Sequence, residues 1–187
     1  MGDEKPGRVD AQRNRLRLVA VAREAFAASG EKVTLEAIAR AAGVGIGTLY
    51  RHFPTREALV EAVYRAELGK LCDSAAELLA QHGPTNALRA WMDRFADYVA
   101  AKRDMADTLR AMIAAGTITS SQARVRLAEA VQTMLDAGAE AGTIRSDVRA
   151  EDVVASLVGV FLACGSPEQR AQAGRMLDLL VAGLVAR

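Results

Sequence analysis

Residues 48–52, T-L-Y-R-H, place four side chains that form hydrogen bonds in a run of five positions. Arg51 is suited to a base edge, because a guanidinium can make a bidentate contact to guanine. Thr48 can offer its hydroxyl to a base or press its methyl group on thymine. This chemistry is the recognition of a DNA duplex, and it requires a short element that carries these side chains outward.

The segment from Thr34 to Val44 predicts the first of two helices. Thr34 is a helix cap, because its hydroxyl can accept a hydrogen bond from an unpaired backbone N–H of the first turn. An apolar stripe at i, i+3, i+4 and i+7 is formed by Leu35, Ile38, Ala39 and Ala42. Gly43 ends the helix where a positive φ is needed, and Val44 places an apolar side chain in the corner before the next helix.

A second, shorter helix is predicted from Gly45 to His52. The residue before Pro54 is pushed out of helical geometry, which limits this helix to about two turns. Leu49 and Phe53 face inward at i and i+4. The outward positions are Ile46, Gly47, Thr48, Tyr50, Arg51 and His52. Two short helices joined by a tight glycine turn form a helix-turn-helix, whose second helix enters the DNA major groove.

The corner Gly43-Val44 and the run G-T-L-Y-R-H-F at residues 47–53 form a recognisable pattern. They resemble the DNA-binding domain of TetR-type transcriptional regulators, whose signature is a glycine-valine corner followed by a G-T-L-Y-x-H-F-like run. Ala25-Phe26 with Gly30 are similar to the end of that family's first helix, and residues 57–59, E-A-L, to the start of its fourth. The resemblance extends to about residue 65.

The resemblance implies an all-helical dimer that represses by binding an operator and releases it when a small molecule enters the C-terminal domain. It implies contacts to phosphate or to the groove wall by Thr34, Tyr50, His52 and Arg56. One departure is the run of Gly45, Ile46 and Gly47, where the family more often has a polar side chain at the helix start. Glycine lets the backbone approach the phosphate closely, so Gly45, Ile46 and Gly47 complete the predicted DNA-binding set. Because two of the three have no side chain, direct readout of the bases rests on few side chains.

The charge distribution favours DNA contact at the N-terminal end. The whole chain carries a net charge of +1, but residues 1–56 hold ten Lys and Arg against six Asp and Glu, and residues 57–187 hold fourteen against seventeen. Positive potential is therefore concentrated around the helix-turn-helix. The arm before the motif contributes Arg8, Arg13, Arg15 and Arg17, as phosphate or minor-groove contacts or as ordinary solvated charge.

The composition and the residues that typically start or end helices predict an all-α fold of about nine helices. Aromatic residues are 4% of the chain, 51% of the residues are apolar, and no segment alternates as a strand does. Outside the motif, the predicted helices are Asp10–Ser29, Thr55–Gln81, Thr85–Lys102, Asp104–Ala115, Ser120–Ala141, Ala150–Cys164 and Pro167–Ala186. The last of them starts with a capping box at residues 166–169, S-P-E-Q.

These helices predict two domains. Residues 1–56 form an N-terminal three-helix helix-turn-helix domain, with the family-type domain at about residues 11–70 and the motif at residues 34–53. Residues 57–187 form a C-terminal helical domain for effector binding and dimerisation. The long fourth helix joins the two, because a helix of this length spans roughly 40 Å.

The last two predicted helices lack a polar face. Residues 153–164 carry no charge, and residues 176–186 carry only Asp178. A helix that is apolar all round is covered on more than one side. We expect a homodimer in which these helices form a four-helix interface with their two-fold mates. The alternative is a monomer that buries both helices in its own core.

The middle helices offer an apolar lining for a small-molecule effector. The aromatic and flexible side chains suited to such a cavity are Trp91, Phe95, Tyr98, Leu109, Met112 and Met134. At helical spacing the same residues also form an ordinary core, so both interpretations fit the pattern.

Other function classes fit less well. An enzyme needs a nucleophile, an acid-base pair or a metal cluster, and the two histidines, His52 and His82, have no metal-ligand spacing. Phosphate-binding glycine motifs are missing, so no catalytic residue, cofactor or metal is predicted. A helical adaptor that binds only protein explains a dimer surface but not residues 48–52.

Cysteine usage and the N-terminus bound the location of the protein. Cys72 and Cys164 match no metal or redox spacing and are interpreted as small hydrophobic residues. Residues 1–17 are polar without the apolar core of a signal peptide, and the charge-free run 153–167 is too short for a membrane helix. We expect a soluble cytoplasmic protein.

Overall fold

The computed structural model describes the backbone of residues 6–186, and the side chains in that range except those of residues 6–9, 31, 120 and 167. Residues 1–5 of the polar N-terminal segment, the Arg8 side chain and Arg187 therefore lie outside the described part. Over residues 6–186 the chain forms nine α-helices, and the predicted all-α fold is confirmed. They are α1 (Pro6–Ser29), α2 (Leu35–Ala41), α3 (Ile46–His52), α4 (Arg56–Gln81), α5 (Pro84–Asp104), α6 (Ala106–Ala114), α7 (Ser120–Glu140), α8 (Ala150–Ala163) and α9 (Arg170–Leu184).

Local signals place most of the helix ends. The Thr55 hydroxyl accepts a hydrogen bond from the Ala58 N–H at 3.2 Å, as expected of a cap at the start of α4. Gly30, after α1, has a φ of 57°, and Gly43, after α2, has a φ of 65°. Both glycines therefore end their helices in the left-handed conformation that the sequence predicts.

Two helix starts differ from the prediction by more than two residues. α1 begins at Pro6 rather than Asp10, because proline is tolerated in the first turn, where its missing N–H has no partner to lose. α9 begins at Arg170 rather than Pro167, after a 3-10 turn over Pro167–Gln169. The capping contact itself forms, since the Gln169 side chain accepts from the Ser166 N–H at 3.2 Å.

The first compact unit comprises residues up to Glu67 together with Ala100–Ile118. Its core is formed by apolar side chains that are at most 2% exposed, the largest being Phe26, Phe53, Leu18, Ile38, Leu49 and Leu59. α6 belongs to this unit and buries Leu109 and Met112. The helix-turn-helix therefore packs on a buried apolar core to which α1 and the start of α4 contribute.

The second compact unit comprises Leu68–Val99 and the chain from Thr119 onward. Trp91 is fully buried, and its indole N–H donates to the Leu71 carbonyl at 2.9 Å. The Phe95 ring contacts the rings of Trp91, Tyr98 and Phe161 at centroid distances of 5.8 to 5.9 Å. The division between the units falls inside α4 and α5, whereas the sequence placed its boundary at Arg56. That domain boundary stays a prediction.

Arg89 fixes α9 on α5 within the second unit. Its Nε donates to the Asp178 carboxylate at 2.6 Å, and its Nη1 lies 2.7 Å from the Asp93 carboxylate. It also donates to the Gly174 carbonyl at 3.4 Å. The one charged side chain of residues 176–186 is therefore engaged inside the subunit.

A close approach between α7 and the following turn depends on Gly138. A Cβ at this position would lie 2.5 Å from Cδ1 and Cγ1 of Ile144, which is itself buried. Ile144 forms an antiparallel bridge with Val185, so the same contact supports the end of the chain after α9. Glycine leaves the space that Ile144 fills.

We expect Gly138→Ala to lower the free energy of unfolding by about 1 kcal/mol. Overpacking a tight site costs about 1–3 kcal/mol, which exceeds the gain of about 1 kcal/mol from removing a helical glycine. Gly69→Ala in α4 is the matched control, because its new Cβ meets only the Arg126 guanidinium at an ordinary 3.9 Å. Chemical denaturation measures both variants. The two should change in opposite directions, and equal stabilisation would contradict the assigned contact.

Candidate nucleic-acid interface

Helix α3 presents one face to solvent and one to the core. Leu49 is fully buried and Phe53, its C-cap, is 2% exposed, so the predicted inward positions are confirmed. Ile46 and Tyr50, one turn apart on the other face, are 37% and 44% exposed. Arg51 is exposed, and Thr48 and His52 are half-buried. The outward face therefore combines donors, acceptors and apolar surface on a helix held rigidly from below.

The helix-turn-helix corner is closed by backbone bonds. The Gly43 N–H donates to the Arg40 carbonyl and the Val44 N–H to the Ala39 carbonyl, both at 3.0 Å. These bonds satisfy the last carbonyls of α2 and set the direction in which the chain leaves it. Gly45 then caps α3 through its carbonyl, which accepts from the Thr48 N–H at 2.9 Å.

The Thr34 hydroxyl can form a second hydrogen bond in addition to the one that caps α2. Its oxygen accepts from the Ala37 N–H at 3.2 Å and so caps α2. A hydroxyl also carries one donor, which can reach a phosphate oxygen. The residue is exposed at the start of α2, in keeping with the backbone contact expected of it.

Arg51 and Thr48 are joined before any DNA is present. Arg51 Nη2 donates to Thr48 Oγ1 at 2.9 Å, and Arg51 Nε donates to the Gly47 carbonyl at 3.3 Å. These bonds hold the guanidinium along the outward face instead of letting it swing in solvent. A guanidinium carries five N–H donors, so two intramolecular bonds still permit a bidentate contact to a base.

Arg56 is placed differently from the other predicted contacts. Its Nη1 donates to the Val33 carbonyl at 2.6 Å, and its Cζ lies 5.3 Å from the centroid of the Phe26 ring. The side chain is half-buried. These contacts join the start of α4 to the segment before α2 and to α1. No observation tests the phosphate contact expected of Arg56, and the contacts in the structure favour a supporting role for this side chain instead.

Two arginines of the N-terminal arm, both on α1, contact the helix-turn-helix. Arg17 Nε donates to the carbonyl of Ala42, the C-cap of α2, at 2.6 Å. Arg15 places its Cζ 5.3 Å from the centroid of the Phe53 ring, at the end of α3. Arg13 pairs with Asp10 on the same helix at 3.4 Å. Arginines 15 and 17 therefore support the helix-turn-helix from α1.

We expect Arg17→Met and Arg56→Met to weaken DNA binding without changing its salt dependence. Each removes a charged hydrogen bond to a carbonyl, which lowers the stability of the first unit by about 1–3 kcal/mol. A lost phosphate contact would instead reduce the slope of log K against log salt by about 0.9 per contact. Salt titrations of binding and thermal unfolding measure both effects. Arg13→Met is the control, and a flattened slope in Arg17→Met or Arg56→Met would contradict the structural role.

The first turn of α4 carries one acidic side chain, Glu57. The backbone N–H at the start of the helix and then the Thr55 hydroxyl lower the pKa of the Glu57 carboxyl below its ordinary value. Glu57 is therefore ionised at neutral pH. An anion is favoured at this end of a helix.

The predicted effector contacts are core side chains in the structure. All six are at most 6% exposed: Trp91, Phe95, Tyr98, Leu109, Met112 and Met134. Four lie in the second unit, while Leu109 and Met112 lie in the first. No effector contact follows from this placement, and these assignments stay predictions.

An open cavity of about 590 Å³ lies between α7 and α8. It is lined by Arg124, Val125, Ala128, Glu129, Gln132, Ala150, Glu151, Val154, Ala155 and Val158. A second, of about 430 Å³, is lined by Arg145, Ala182, Gly183, Val185 and Ala186. None of the six predicted effector contacts lines either cavity. Sequence periodicity missed the first cavity, because a groove between two helices depends on how they pack and not on either pattern alone.

Helices α8 and α9 expose apolar side chains. Leu162 on α8 is 80% exposed and Leu179 on α9 is 74% exposed. Among the other exposed positions on the two helices are Ala155, Val158, Gly159, Ala182 and Gly183. We call these seven residues the α8–α9 face. The face matches the helices that the sequence predicted to lack a polar side.

The cysteines have no site around them. The Cys72 thiol donates to the Arg126 carbonyl at 3.6 Å, and burial raises its pKa. Cys164 is buried, with its Sγ 3.7 Å from Met176 Sδ. Among the side chains that the structure describes, no group of three or more His, Cys, Asp or Glu could hold a metal ion. None of the described helices is both long and apolar enough to cross a membrane.

Comparison with known proteins covers both halves of the chain. A family model described as bacterial regulatory proteins, tetR family, matches residues 18–63. A second model, described as transcriptional regulator SbtR-like, C-terminal domain, matches residues 83–186. An HTH-type transcriptional regulator of Staphylococcus aureus is 39% identical over 62 residues. That match covers 33% of this chain and 34% of the relative, so the chain spans about a third of the length of the curated relatives it matches.

Two solved structures match nearly the whole chain. A TetR transcriptional regulator from Streptomyces coelicolor is 50% identical, with a TM-score of 0.83, and the match covers 92% of this chain and 98% of that one. A TetR transcription regulatory protein from Mycobacterium vanbaalenii is 34% identical, with a TM-score of 0.74, and the match covers 97% and 100%.

Proposed function

The chain belongs to the TetR family of DNA-binding transcriptional regulators, and we propose that it acts as a homodimeric repressor that a small molecule releases from a palindromic operator. The single observation that carries the proposal is the outward face of α3. That face is exposed, bears the Arg51–Thr48 pair, and is fixed from below by Leu49 and Phe53. A regulator of this kind acts on DNA in the bacterial cytoplasm, which is where we place the protein.

The DNA contacts divide into reading and positioning. Arg51 and Thr48 read base edges in the major groove. Tyr50, His52 and Thr34 contact phosphate or the groove wall and set the register of the helix. Gly45 and Gly47 have nothing within 4 Å of an added Cβ, so a DNA strand can approach the backbone there. Ile46 lies between them.

Dimerisation follows from the α8–α9 face. Burying an apolar surface is favourable by about 25 cal/mol per Å², and a leucine that is 80% exposed lies on this face. The cavity between α7 and α8 shares Ala155 and Val158 with the face. We assign it to the same interface, because the shared residues make the two one continuous surface that a second copy can cover.

Release by an effector requires that the effector favour one spacing of the two α3 helices over another. We propose a small-molecule effector because response to such a ligand is typical of the family. The buried aromatic cluster around Trp91 and Phe95 makes room for an effector only if its side chains move, because each of these residues is at most 1% exposed. A change in the second unit is therefore a necessary part of effector binding at these residues.

Selection from a pool of random DNA duplexes tests the proposed function. We expect the purified protein to enrich one palindromic site, with half-sites one or more helical turns apart. Retention should fall steeply with salt, because phosphate contacts release counterions. Absence of enrichment, with retention independent of salt, would show that the protein is a protein-binding adaptor instead.

A further inference from the structure

An apolar side chain is exposed at the start of α3. Ile46 is the first residue of the helix and is 37% exposed. Gly45 and Gly47 on either side have no side chains, and an added Cβ at either position would meet nothing within 4 Å. Ile46 is thus the one side chain that positions 45–47 can present to a ligand. In a helix-turn-helix the N-terminal residues of the second helix contact base edges.

The exposure of Ile46 is part of a patch. Four large apolar side chains are exposed in the described part of the first unit: Leu16, Ile46, Tyr50 and Ile113. Two of them, Ile46 and Tyr50, lie one turn apart on the seven-residue helix α3. Exposure of this apolar patch to water is unfavourable. Burial of the patch against a surface that carries apolar groups would be favourable.

The major groove offers one apolar group. Every base edge there presents hydrogen-bond donors or acceptors, and thymine alone adds a C5-methyl. Ile46 has no hydrogen-bonding atom in its side chain, so it cannot distinguish bases through donors and acceptors. It can distinguish a thymine from a cytosine or a uracil through contact with that methyl group.

We propose that Ile46 reads the C5-methyl of one thymine in each operator half-site, an inference that rests on the proposed function. Arg51 lies five residues further along α3, a rise of about 7.5 Å. Stacked bases are about 3.4 Å apart along a strand. A rise of this size, equal to about two base steps, is short enough for the two side chains to contact the same half-site. Ile46 is a specificity-determining residue, and its recognition depends on van der Waals contact alone.

Replacement of thymine by uracil in the selected operator isolates the methyl group. Each thymine is exchanged for deoxyuridine in turn, in both half-sites together, and binding is measured by fluorescence anisotropy. One exchange should weaken binding of the wild-type protein by about fifteenfold, or about fourfold for each half-site, as expected for one buried methyl group. The same exchange should change binding of Ile46→Ala by less than about twofold.

One further variant tests whether loss of any exposed isoleucine removes the response. Ile113→Ala removes an exposed isoleucine from α6 and should keep the full uracil penalty. An equal penalty in wild type and Ile46→Ala, or no sensitive thymine in the wild type, overturns the assignment while leaving DNA binding intact. Failure of the proposed function is distinct, since no duplex would then be enriched at all.

Discussion

We expect Arg51→Ala to lower the affinity of the proposed dimer for its operator by about 1–3 kcal/mol at each half-site, and so by about 2–6 kcal/mol in total. The loss is larger for the operator than for random DNA, because a bidentate contact to guanine carries sequence information. In the free protein Arg51 is already bonded to Thr48 Oγ1 and to the Gly47 carbonyl. Little side-chain freedom is therefore lost on binding, which makes the contact efficient.

Competition binding at one fixed salt concentration measures this loss, with the selected operator against a duplex that replaces the guanine in both half-sites. Arg51→Ala should bind the two duplexes nearly equally. Arg110→Ala is the charge-matched control, because Arg110 pairs with Asp107 on α6. Should Arg51→Ala still discriminate the two duplexes as the wild type does, the reading role belongs to another residue.

The helix-turn-helix could be predicted because its determinants are local. Thr34 caps α2 through the Ala37 N–H three residues on, and Gly43 adopts the positive φ that its position requires. Leu49 and Phe53 lie one turn apart and face the same core. Interactions over three or four residues are encoded by spacing, so the pattern alone indicated the outward set on α3.

The supporting arginines could not be predicted in the same way. Arg17 is 25 residues from the Ala42 carbonyl to which it donates, and Arg56 is 23 residues from Val33. Nothing in the spacing marks either pair, and an arginine near a helix-turn-helix resembles a DNA contact until the packing is known. The effector contacts have the same difficulty, because Trp91 and Phe95 have the same helical spacing whether they line a cavity or fill a core.

We expect Leu162→Arg to separate the proposed dimer and thereby to remove most operator affinity. In the proposed two-fold interface each copy contributes one Leu162, so one substitution places two guanidinium groups on it. Burial of a leucine contributes about 1.5–3 kcal/mol, and the loss from both copies weakens dimerisation by at least about 3–6 kcal/mol. The subunit itself should stay folded, because Leu162 is 80% exposed and supports little of the core.

Loss of the dimer reaches DNA through effective concentration. Two linked reading helices bind a palindrome about 10²–10⁴ times more tightly than one alone. Light scattering should therefore show Leu162→Arg as a monomer at micromolar concentration, and its affinity for the full operator should fall toward that for an isolated half-site. Affinity for the half-site should stay at the wild-type value, because α3 lies in the other compact unit.

Ala80→Arg controls for the added charge. Ala80 is exposed on α4 in the same unit as Leu162, outside the α8–α9 face. This variant should remain a dimer and bind the full operator normally. If Leu162→Arg also remained a dimer, the exposed leucine would lie outside the interface, and the pairing surface would have to be sought elsewhere. If both variants became monomers, general charge repulsion rather than the α8–α9 face would explain the loss.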